Sequence, residues 1–338
     1  MRGLVVPLSH RLDDLAPMQR PHPAQPGPGQ VLVQMKALGL NYRDLLVATG
    51  HDRWLSPEGR VLGSDGVGYV MAVGPQTDRL RVGDRVITTI LPNWVSGPLN
   101  AEKRSGALGG PAADGVFAEV VLLSAAGLAL APRYLDDVQA ATLPVAALTA
   151  WHALTRAGVL RPGAVVLVEG TGGVSTFALQ IAAAAGAKVI ATSSSESKLK
   201  RLRELGAEAT VNYRDRPDWG RQVLELTGGR GVDLAIDIGG ASTLQQSITA
   251  AAAGATVSIV GLVGGLTAQI DLAEVLQKNL RLDGIETGSR TMLEEMIAWF
   301  ETKNLIPVID SCYSFNDGKR AFISLRDGGH IGKICLTL

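Results

Sequence analysis

The sequence predicts an α/β fold with two domains, one rich in β-strands and one built on a doubly wound parallel sheet. The 338 residues suffice for two hydrophobic cores. Apolar residues make up 46% of the chain, 40 residues are glycine and only 4% are aromatic, which is typical of buried parallel strands joined by glycine turns. From about residue 129, short apolar strands alternate with helical stretches, which favours right-handed βαβ crossovers.

The division into domains follows from the change in pattern along the chain. The first 125 residues alternate with the strand period in PGQVLVQMKALGL, GSDGVGYVMAVG and GDRVITTI, which predicts an antiparallel or barrel-like domain. Beyond them we expect helices over 137–156 and 195–205 and strands over 165–169 and 188–192. The alternation fades near Gly284, and the tail GHIGKICLTL again indicates helix plus strand. We therefore expect one domain over 1–128 and 286–338, and a second over 129–285.

Charge and cysteine content argue against several classes of protein. Lys plus Arg and Asp plus Glu number 32 each, so a nucleic-acid or membrane-surface partner has no electrostatic support. Cys312 and Cys335 are the only cysteines, which excludes a disulfide framework and a cysteine-based zinc cluster. The N-terminal MRGLVVPLSHRLDDL lacks the apolar core of a signal peptide. We expect a cytoplasmic protein.

The segment AVVLVEGTGGVSTFALQIAAAAGAKVIAT joins an apolar strand, a glycine turn, an apolar helix and a second strand. This order predicts a mononucleotide-binding βαβ unit, in which glycines admit a pyrophosphate to the start of the helix. Ser175 stands where the pattern has its third glycine, and a small hydroxyl residue still permits close packing. The alternative is a glycine turn that binds no nucleotide. The predicted cofactor residues in this turn are Gly170, Thr171, Gly172, Gly173 and Val174.

The residues after the second strand bear on which dinucleotide is bound. An acidic side chain there favours NAD, whereas this chain has Ser193, Ser194 and Ser195 followed by Lys198, which suit an added 2′-phosphate. Glu196 fits better in the first turn of the next helix, where Ser195 would cap it. Lys198 has the alternative of an ordinary solvated helix lysine. We expect NADPH.

The chain resembles the zinc-independent medium-chain dehydrogenase/reductases, the quinone oxidoreductases and related enoyl reductases. The likeness covers nearly the whole chain and rests on PGQVLVQMKALGLNYRDLLVATG, VLGSDGVGYVMAVG, RVGDRV, GTGGVS, KVIATSSSESKLKRLRELGAEATVNYR, GVDLAIDIGG and the closing GKICL. It implies a GroES-like substrate domain and an inserted Rossmann domain. In NADPH-binding relatives a lysine and a tyrosine hold the 2′-phosphate, and Lys198 and Tyr213 match them. We also place Gly261, Leu262 and Lys333 in the cofactor site.

The resemblance also bears on metal and assembly. Zinc-dependent members carry zinc ligands where this chain has Asn41, Ser64, Asp65 and Pro144, and they carry four further cysteines in a structural lobe. None of the five histidines has a Cys or His partner at ligand spacing, so we expect no metal site. Relatives often dimerise through edge strands of the Rossmann sheet, here the stretch 262–270, so we expect a homodimer.

Candidate catalytic groups cluster in GLNYRDLLVATGHDRW. Asn41 and Asp44 match polar residues lining the cleft in related quinone reductases, and Tyr42 is a plausible proton donor. Each has an alternative: Asp44 caps the following helix or pairs with Arg43, Tyr42 packs in a core, and Asn41 secures a turn.

Other polar and aromatic residues have a functional and a structural reading. His51 is a candidate proton relay or part of a surface loop, and His152 is expected to be a core histidine. Asp65 lies beside the vacated metal site or forms a structural salt bridge. Trp54, Trp94 and the loop over 92–111 are expected to shape the substrate pocket.

Three functions follow from these observations. The leading hypothesis is an NADPH-dependent reductase that transfers hydride to a conjugated carbonyl or quinone, because delocalised product charge needs no metal. The second is zinc-free reduction of aldehydes or ketones. The third is a non-catalytic NADPH-binding structural or sensory protein.

Overall fold

The computed structural model describes residues 1–338 and divides into two compact units, Met1–Leu148 with Thr287–Leu338, and Thr149–Glu286. The strands are β1 (Arg2–Leu4), β2 (Pro17–Gln19), β3 (Gln30–Gly39), β4 (Asp65–Val73), β5 (Arg85–Thr88), β6 (Val120–Ser124), β7 (Leu128–Leu130), β8 (Val165–Glu169), β9 (Lys188–Ser193), β10 (Ala209–Asn212), β11 (Val232–Asp237), β12 (Ala251–Ile259), β13 (Arg281–Gly284), β14 (Ile309–Ser314) and β15 (Lys333–Thr337). The helices are α1 (Tyr42–Ala48), α2 (Ala101–Arg104), α3 (Asp137–Ala140), α4 (Leu148–Ala157), α5 (Gly173–Ala184), α6 (Glu196–Glu204), α7 (Trp219–Leu226), α8 (Leu244–Ala250), α9 (Leu272–Gln277), α10 (Arg290–Lys303) and α11 (Gly318–Asp327).

The first unit is built on a mostly antiparallel seven-stranded sheet. Its order is β14-β15-β3-β4-β5-β7, with β6 pairing β3. Side chains of β3 alternate between buried and more exposed positions along most of the strand, as expected when one face covers a core. That core contains the fully buried Leu4, Met35, Phe117 and Phe322. The predicted β-rich, GroES-like fold is confirmed.

The two ends of the chain meet in this sheet. Strand β15 lies antiparallel to β3, with Cys335 opposite Gly39, and β14 lies parallel to β15. An added Cβ at Gly39 would lie 2.6 Å from the carbonyl oxygen of Ala141, so this position needs a glycine. The return of the C-terminal segment brings Lys333 next to the strand that precedes α1.

The second unit has a six-stranded parallel sheet in the order β10-β9-β8-β11-β12-β13. This is the doubly wound Rossmann arrangement, which confirms the predicted fold class. The order in which strands are added reverses at β8, because β9 lies on one side of it and β11 on the other. Ligands of such sheets bind outside the carboxyl ends of the strands at this point.

The segment 129–148 belongs to the first unit, whereas the sequence pattern placed it in the second. Strand β7 pairs β5, and Arg85 bonds Asp137 at 2.7 Å. The helix expected over 137–156 is divided into α3, a π-helical turn at Leu143–Ala147, and α4. Pro144 lacks a backbone N–H and stands in the first turn after α3, which explains the interruption.

The stretch 262–270, expected to form an edge strand, contains no strand. Gly264 and Gly265 interrupt it, and Gly265 has a φ of 128° that other residues rarely adopt. The edge strands of the six-stranded sheet are β10 and β13. Among the helices, none combines the length and apolar character needed to span a bilayer.

Candidate functional site

The glycine turn lies at the carboxyl end of β8, where the strand order reverses. Gly170 has a φ of 72°, which favours glycine. Gly172 stands at the N-cap of α5 without a side-chain cap, and a Cβ added there would meet no atom within 4 Å. The turn therefore presents the first amides of a twelve-residue helix and its positive dipole end beside open space. This arrangement fits a pyrophosphate.

Ser175 explains how the turn forms without its third glycine. Its side chain is buried, and its hydroxyl donates to the carbonyl oxygen of Glu169 at 2.6 Å. Where the motif has a glycine that lets the helix pack closely on the strand, this chain has a hydroxyl group. Its hydrogen bond holds the start of α5 against the end of β8.

The residues expected at the 2′-phosphate lie together at the next strand ends. Ser193 ends β9 and is buried, and the Tyr213 amide donates to its carbonyl oxygen at 3.1 Å. Ser195 occupies the N-cap of α6 but makes no side-chain cap bond, and Glu196 is the first helical residue, paired with Arg203 at 3.6 Å. Ser194 and Lys198 are half-buried, and the Tyr213 side chain is 40% exposed. The structure therefore brings this set to one edge of the sheet.

Gly261 follows β12 at the same carboxyl edge. Its amide donates to the carbonyl oxygen of Asp237 at 3.2 Å, and an added Cβ would lie 2.4 Å from the carbonyl oxygen of Ile238. Gly170 approaches the Ile238 side chain from β8. Leu262 is 37% exposed beside this edge. Both expected residues are therefore near the glycine turn.

A buried charge cluster lies in the first unit, at the start of α1. Asn41 is the N-cap residue, and its amide donates to Asp44 Oδ2 at 2.8 Å, so Asp44 caps its own helix as one of the expected alternatives requires. Asp44 is fully buried, and its Oδ1 has no hydrogen-bond partner. Tyr42, the first helical residue, is 38% exposed, so it does not pack in the core.

Lys333, grouped above with the cofactor residues, extends its ammonium group into this cluster. The side chain is 3% exposed, and Nζ donates to the Leu40 carbonyl oxygen and to Asn41 Oδ1, each at 2.6 Å, and to Asp65 Oδ2 at 3.3 Å. Asp65 is fully buried, and its contact with Lys333 is the salt bridge considered above. Asn41 also approaches Ser64 Oγ at 3.5 Å. The sequence pattern did not place Lys333 near Asn41.

Burial dominates the electrostatics of the two carboxyl groups. Burial raises the pKa of Asp44 to about 7, opposed chiefly by the nearby positive charge of Arg43. Burial also raises the pKa of Asp65, opposed chiefly by the charge of Lys333. The Lys333 ammonium pairs with Asp65, and the pKa of Asp44 lies near neutral pH.

The remaining candidates have structural roles or lie on the surface. His51 is exposed and packs edge-on against the half-buried Trp54, at 5.5 Å between ring centres. Trp94 is buried and packs with Ile90 and Leu91 in a small core. His152 is half-buried on α4. No group of three or more His, Cys, Asp or Glu side chains is arranged to hold a metal ion.

The loop over 92–111, which contains α2, borders a cavity of about 420 Å³ within the first unit. Pro92, Gly106 and Leu108 of the loop line this cavity together with Val121 and Leu123 of β6. The expectation that this loop helps to shape a pocket is consistent with this position.

Two family models match the chain. One described as "Alcohol dehydrogenase GroES-like domain" matches residues 27–133, and one described as "Zinc-binding dehydrogenase" matches residues 173–302.

Similar proteins carry related descriptions. A zinc-type alcohol dehydrogenase-like protein of Schizosaccharomyces pombe is 39% identical over 332 residues, which is 96% of each chain. The crystal structure of a putative alcohol dehydrogenase from Sinorhizobium meliloti has a TM-score of 0.92 at 38% identity, covering 100% of this chain and 98% of that one. The structure of an NAD-dependent alcohol dehydrogenase has a TM-score of 0.89 at 35% identity, covering all of both chains.

Proposed function

Because the chain belongs to the medium-chain dehydrogenase/reductases, a family of nicotinamide-dependent oxidoreductases with zinc-type alcohol dehydrogenase-like members, we propose that it is a nicotinamide-dependent reductase. In this proposal the cofactor is NADPH, the acceptor is a conjugated carbonyl compound or a quinone, and the reaction uses no zinc. The observation that carries the cofactor assignment is the uncapped glycine turn beside open space at the carboxyl end of β8. The assignment of the acceptor class depends on Asn41, Asp65 and Lys333 of the first unit.

Selection of NADPH is supported by the residues around the ends of β9 and β10. Ser193, Ser194 and Ser195 supply hydroxyl groups, and Lys198 and Tyr213 lie on the segments that follow the two paired strands. An ammonium group and hydroxyl donors suit a phosphate dianion. The NAD-dependent neighbour makes NADH the alternative cofactor.

Replacement of Lys198 tests this selection. In Lys198→Ala we expect the Kd for NADPH to rise about tenfold, because one charge-assisted bond to phosphate is lost, while the Kd for NADH is unchanged. Fluorescence titration with each reduced nucleotide measures the two dissociation constants. Lys200→Ala, an exposed lysine on the same helix, is the matched control. Equal affinity of the parent protein for NADPH and NADH would contradict the selection, as would a variant that keeps full NADPH affinity.

The residues at the positions of the zinc ligands do not fit zinc. Asn41, Ser64 and Asp65 offer an amide, a hydroxyl and a carboxylate, whereas tetrahedral zinc prefers thiolate and imidazole. The Lys333 ammonium is bonded to Asn41 and Asp65. A cation that already occupies these oxygen atoms competes with a metal ion for them. This supports a reaction whose product charge is delocalised over a conjugated system.

A bound reduced nicotinamide supplies a hydride. The groups of this chain then have to hold the acceptor and return a proton to the delocalised anion. The Tyr42 side chain is 38% exposed, and the pKa of the buried Asp44 carboxyl, two residues further along α1, is raised to about 7. Asn41 is bonded to both Lys333 and Asp44, and so it positions the Asp44 carboxyl.

The second candidate is zinc-free reduction of aldehydes or ketones, and the alcohol dehydrogenase names of the relatives support its substrate class. Steady-state assays of metal-free protein with a 2-alkenal, a quinone and a simple saturated aldehyde separate the two. We expect reduction of the conjugated acceptors and little turnover of the saturated aldehyde. Turnover of the saturated aldehyde alone would favour the second candidate.

We also propose that the protein acts as a cytoplasmic homodimer. Supporting the homodimer, the segment that follows β12 exposes the apolar side chains of Leu262, Val263 and Leu266. Exposed apolar residues in one segment suit a subunit contact.

A further inference from the structure

Two carboxyl groups are buried beneath the glycine turn, and the proposed reaction uses neither. Glu169 ends β8 and is 3% exposed, and Asp237 ends the adjacent strand β11 and is fully buried. Each is therefore the last residue of an apolar strand, directly before a turn at the carboxyl edge of the sheet.

One hydroxyl group connects the two carboxyl groups. Ser247 of α8 makes a short hydrogen bond with Glu169 Oε1, and its Oγ lies 2.9 Å from Asp237 Oδ2. A hydroxyl has one hydrogen to donate, so it cannot donate to two carboxylates at once. The second contact needs a hydrogen carried by a carboxyl group. This count of hydrogens indicates that the pair retains a proton.

None of the groups that are hydrogen-bonded to the two carboxyl groups carries a positive charge that could replace this proton. The Ile238 amide donates to Glu169 Oε2 at 3.3 Å, the Gly240 amide donates to Asp237 Oδ1 at 2.7 Å, and the Thr243 hydroxyl donates to Asp237 Oδ2 at 2.9 Å. Ser175 of α5 and Thr192 of β9 also approach Glu169 and are uncharged. Burial, and then the charge of Asp237, raise the pKa of Glu169 to about 8, and burial raises that of Asp237.

The pair also joins the three strand ends that form the nucleotide edge. The backbone oxygen of Glu169 accepts from Ser175 of α5, and Gly170 follows Glu169 directly. Glu169 Oε2 accepts from the amide after β11, and the Asp237 backbone oxygen accepts from Val260 and Gly261 after β12. Separation of the two carboxyl groups would therefore move the start of the glycine turn relative to β11 and β12.

We propose that Glu169 and Asp237 are positioning residues that share one proton through Ser247, and that this proton keeps the glycine turn in the shape that accepts a dinucleotide pyrophosphate. The inference rests on the proposed function. Loss of the proton places two like charges in a buried site and adds negative charge near the phosphates, so nucleotide affinity falls in alkaline solution.

Titration of NADPH affinity against pH tests the inference. Above about pH 7.5 the 2′-phosphate is already dianionic, so its own titration does not interfere. We expect the Kd of the parent protein to rise by up to about tenfold per pH unit above about pH 8. In Glu169→Gln the profile should be flat, because the amide keeps acceptor and donor but loses no proton. Glu208→Gln, on an exposed pair with Lys188, should follow the parent.

A second measurement on nucleotide-free protein keeps the inference testable if Glu169→Gln does not fold. Infrared spectra of protein with glutamate labelled by ¹³C at the side-chain carboxyl exclude signals from Asp44 and Asp65. We expect one protonated glutamic acid band that disappears between about pH 7 and 9. Absence of this band, or a Gln variant whose affinity profile parallels that of the parent, overturns the inference. Absence of nucleotide binding at every pH overturns the proposed function instead.

Discussion

Replacing Lys333 by methionine is expected to destabilise the protein by about 3–5 kcal/mol at pH 8, because the change leaves a buried carboxylate without its cation. Methionine keeps most of the volume but removes the bonds to Leu40, Asn41 and Asp65. Without the ammonium, the pKa of Asp65 rises further above that of the unfolded chain. The folded variant then retains a proton that the unfolded chain releases, so the loss of stability grows as the pH rises.

Urea denaturation at about pH 5.5 and pH 8 measures both parts of this prediction. Lys188→Met is the matched control, because Lys188 and its partner Glu208 are each more than half exposed. Its free energy of unfolding should change by less than about 0.5 kcal/mol. A loss below about 1 kcal/mol in Lys333→Met, or one equal at the two pH values, would show that the buried pair does not organise the cluster.

Asp44→Asn is expected to stabilise the protein in alkaline solution. The pKa of Asp44 is raised from 3.8 to about 7 in the folded chain, so folded protein keeps a proton that unfolded protein loses between these values. The contribution of Asp44 is therefore complete below about pH 4 and is lost as the pH rises through about 7. A rise of this size corresponds to at most about 4 kcal/mol. Asparagine cannot ionise, and its Oδ1 can still accept from the Asn41 amide.

The free energy of unfolding should therefore be similar in Asp44→Asn and parent protein near pH 4 and should favour the variant above about pH 7. The exposed Asp327, changed to Asn, serves as the control for loss of a carboxylate. A variant that is less stable than the parent at pH 8 would mean that the folded protein stabilises the ionised form of Asp44, so that its pKa is not raised on folding. Asp44 would then be excluded as a neutral proton source for the reaction.

The second unit was the more predictable part of the fold. The strand predicted over 165–169 has the same bounds as β8 in the structure. A short apolar run between turn residues is too short for a helix, so a buried strand is the favoured structure. The expectation of one continuous helix over 137–156 was wrong. The apolar residues keep helical spacing through Pro144, but proline has no backbone N–H for the regular α-helical hydrogen bonds. The expected edge strand at 262–270 was wrong because two adjacent glycines stand in it.

The candidate nucleotide residues could be proposed from the sequence alone because they follow one another along the chain. Lys333 could not be placed in the same way, since its position depends on β15 returning to β3 across almost the whole sequence. Glu169 and Asp237 were missed although a signal exists: each is an acidic residue that closes an apolar strand. The proximity of the two depends on β8 lying beside β11, and only the sheet order shows it.

The most direct test of the central claim is transfer of deuterium by protein stripped of metal. NADPH carrying deuterium at both C4 positions is mixed with a conjugated enone, and the product is examined by mass spectrometry and NMR. We expect one deuterium at the carbon β to the carbonyl group, with no increase in rate when zinc is restored. Absence of label in the product, or transfer that requires added zinc, would contradict the account.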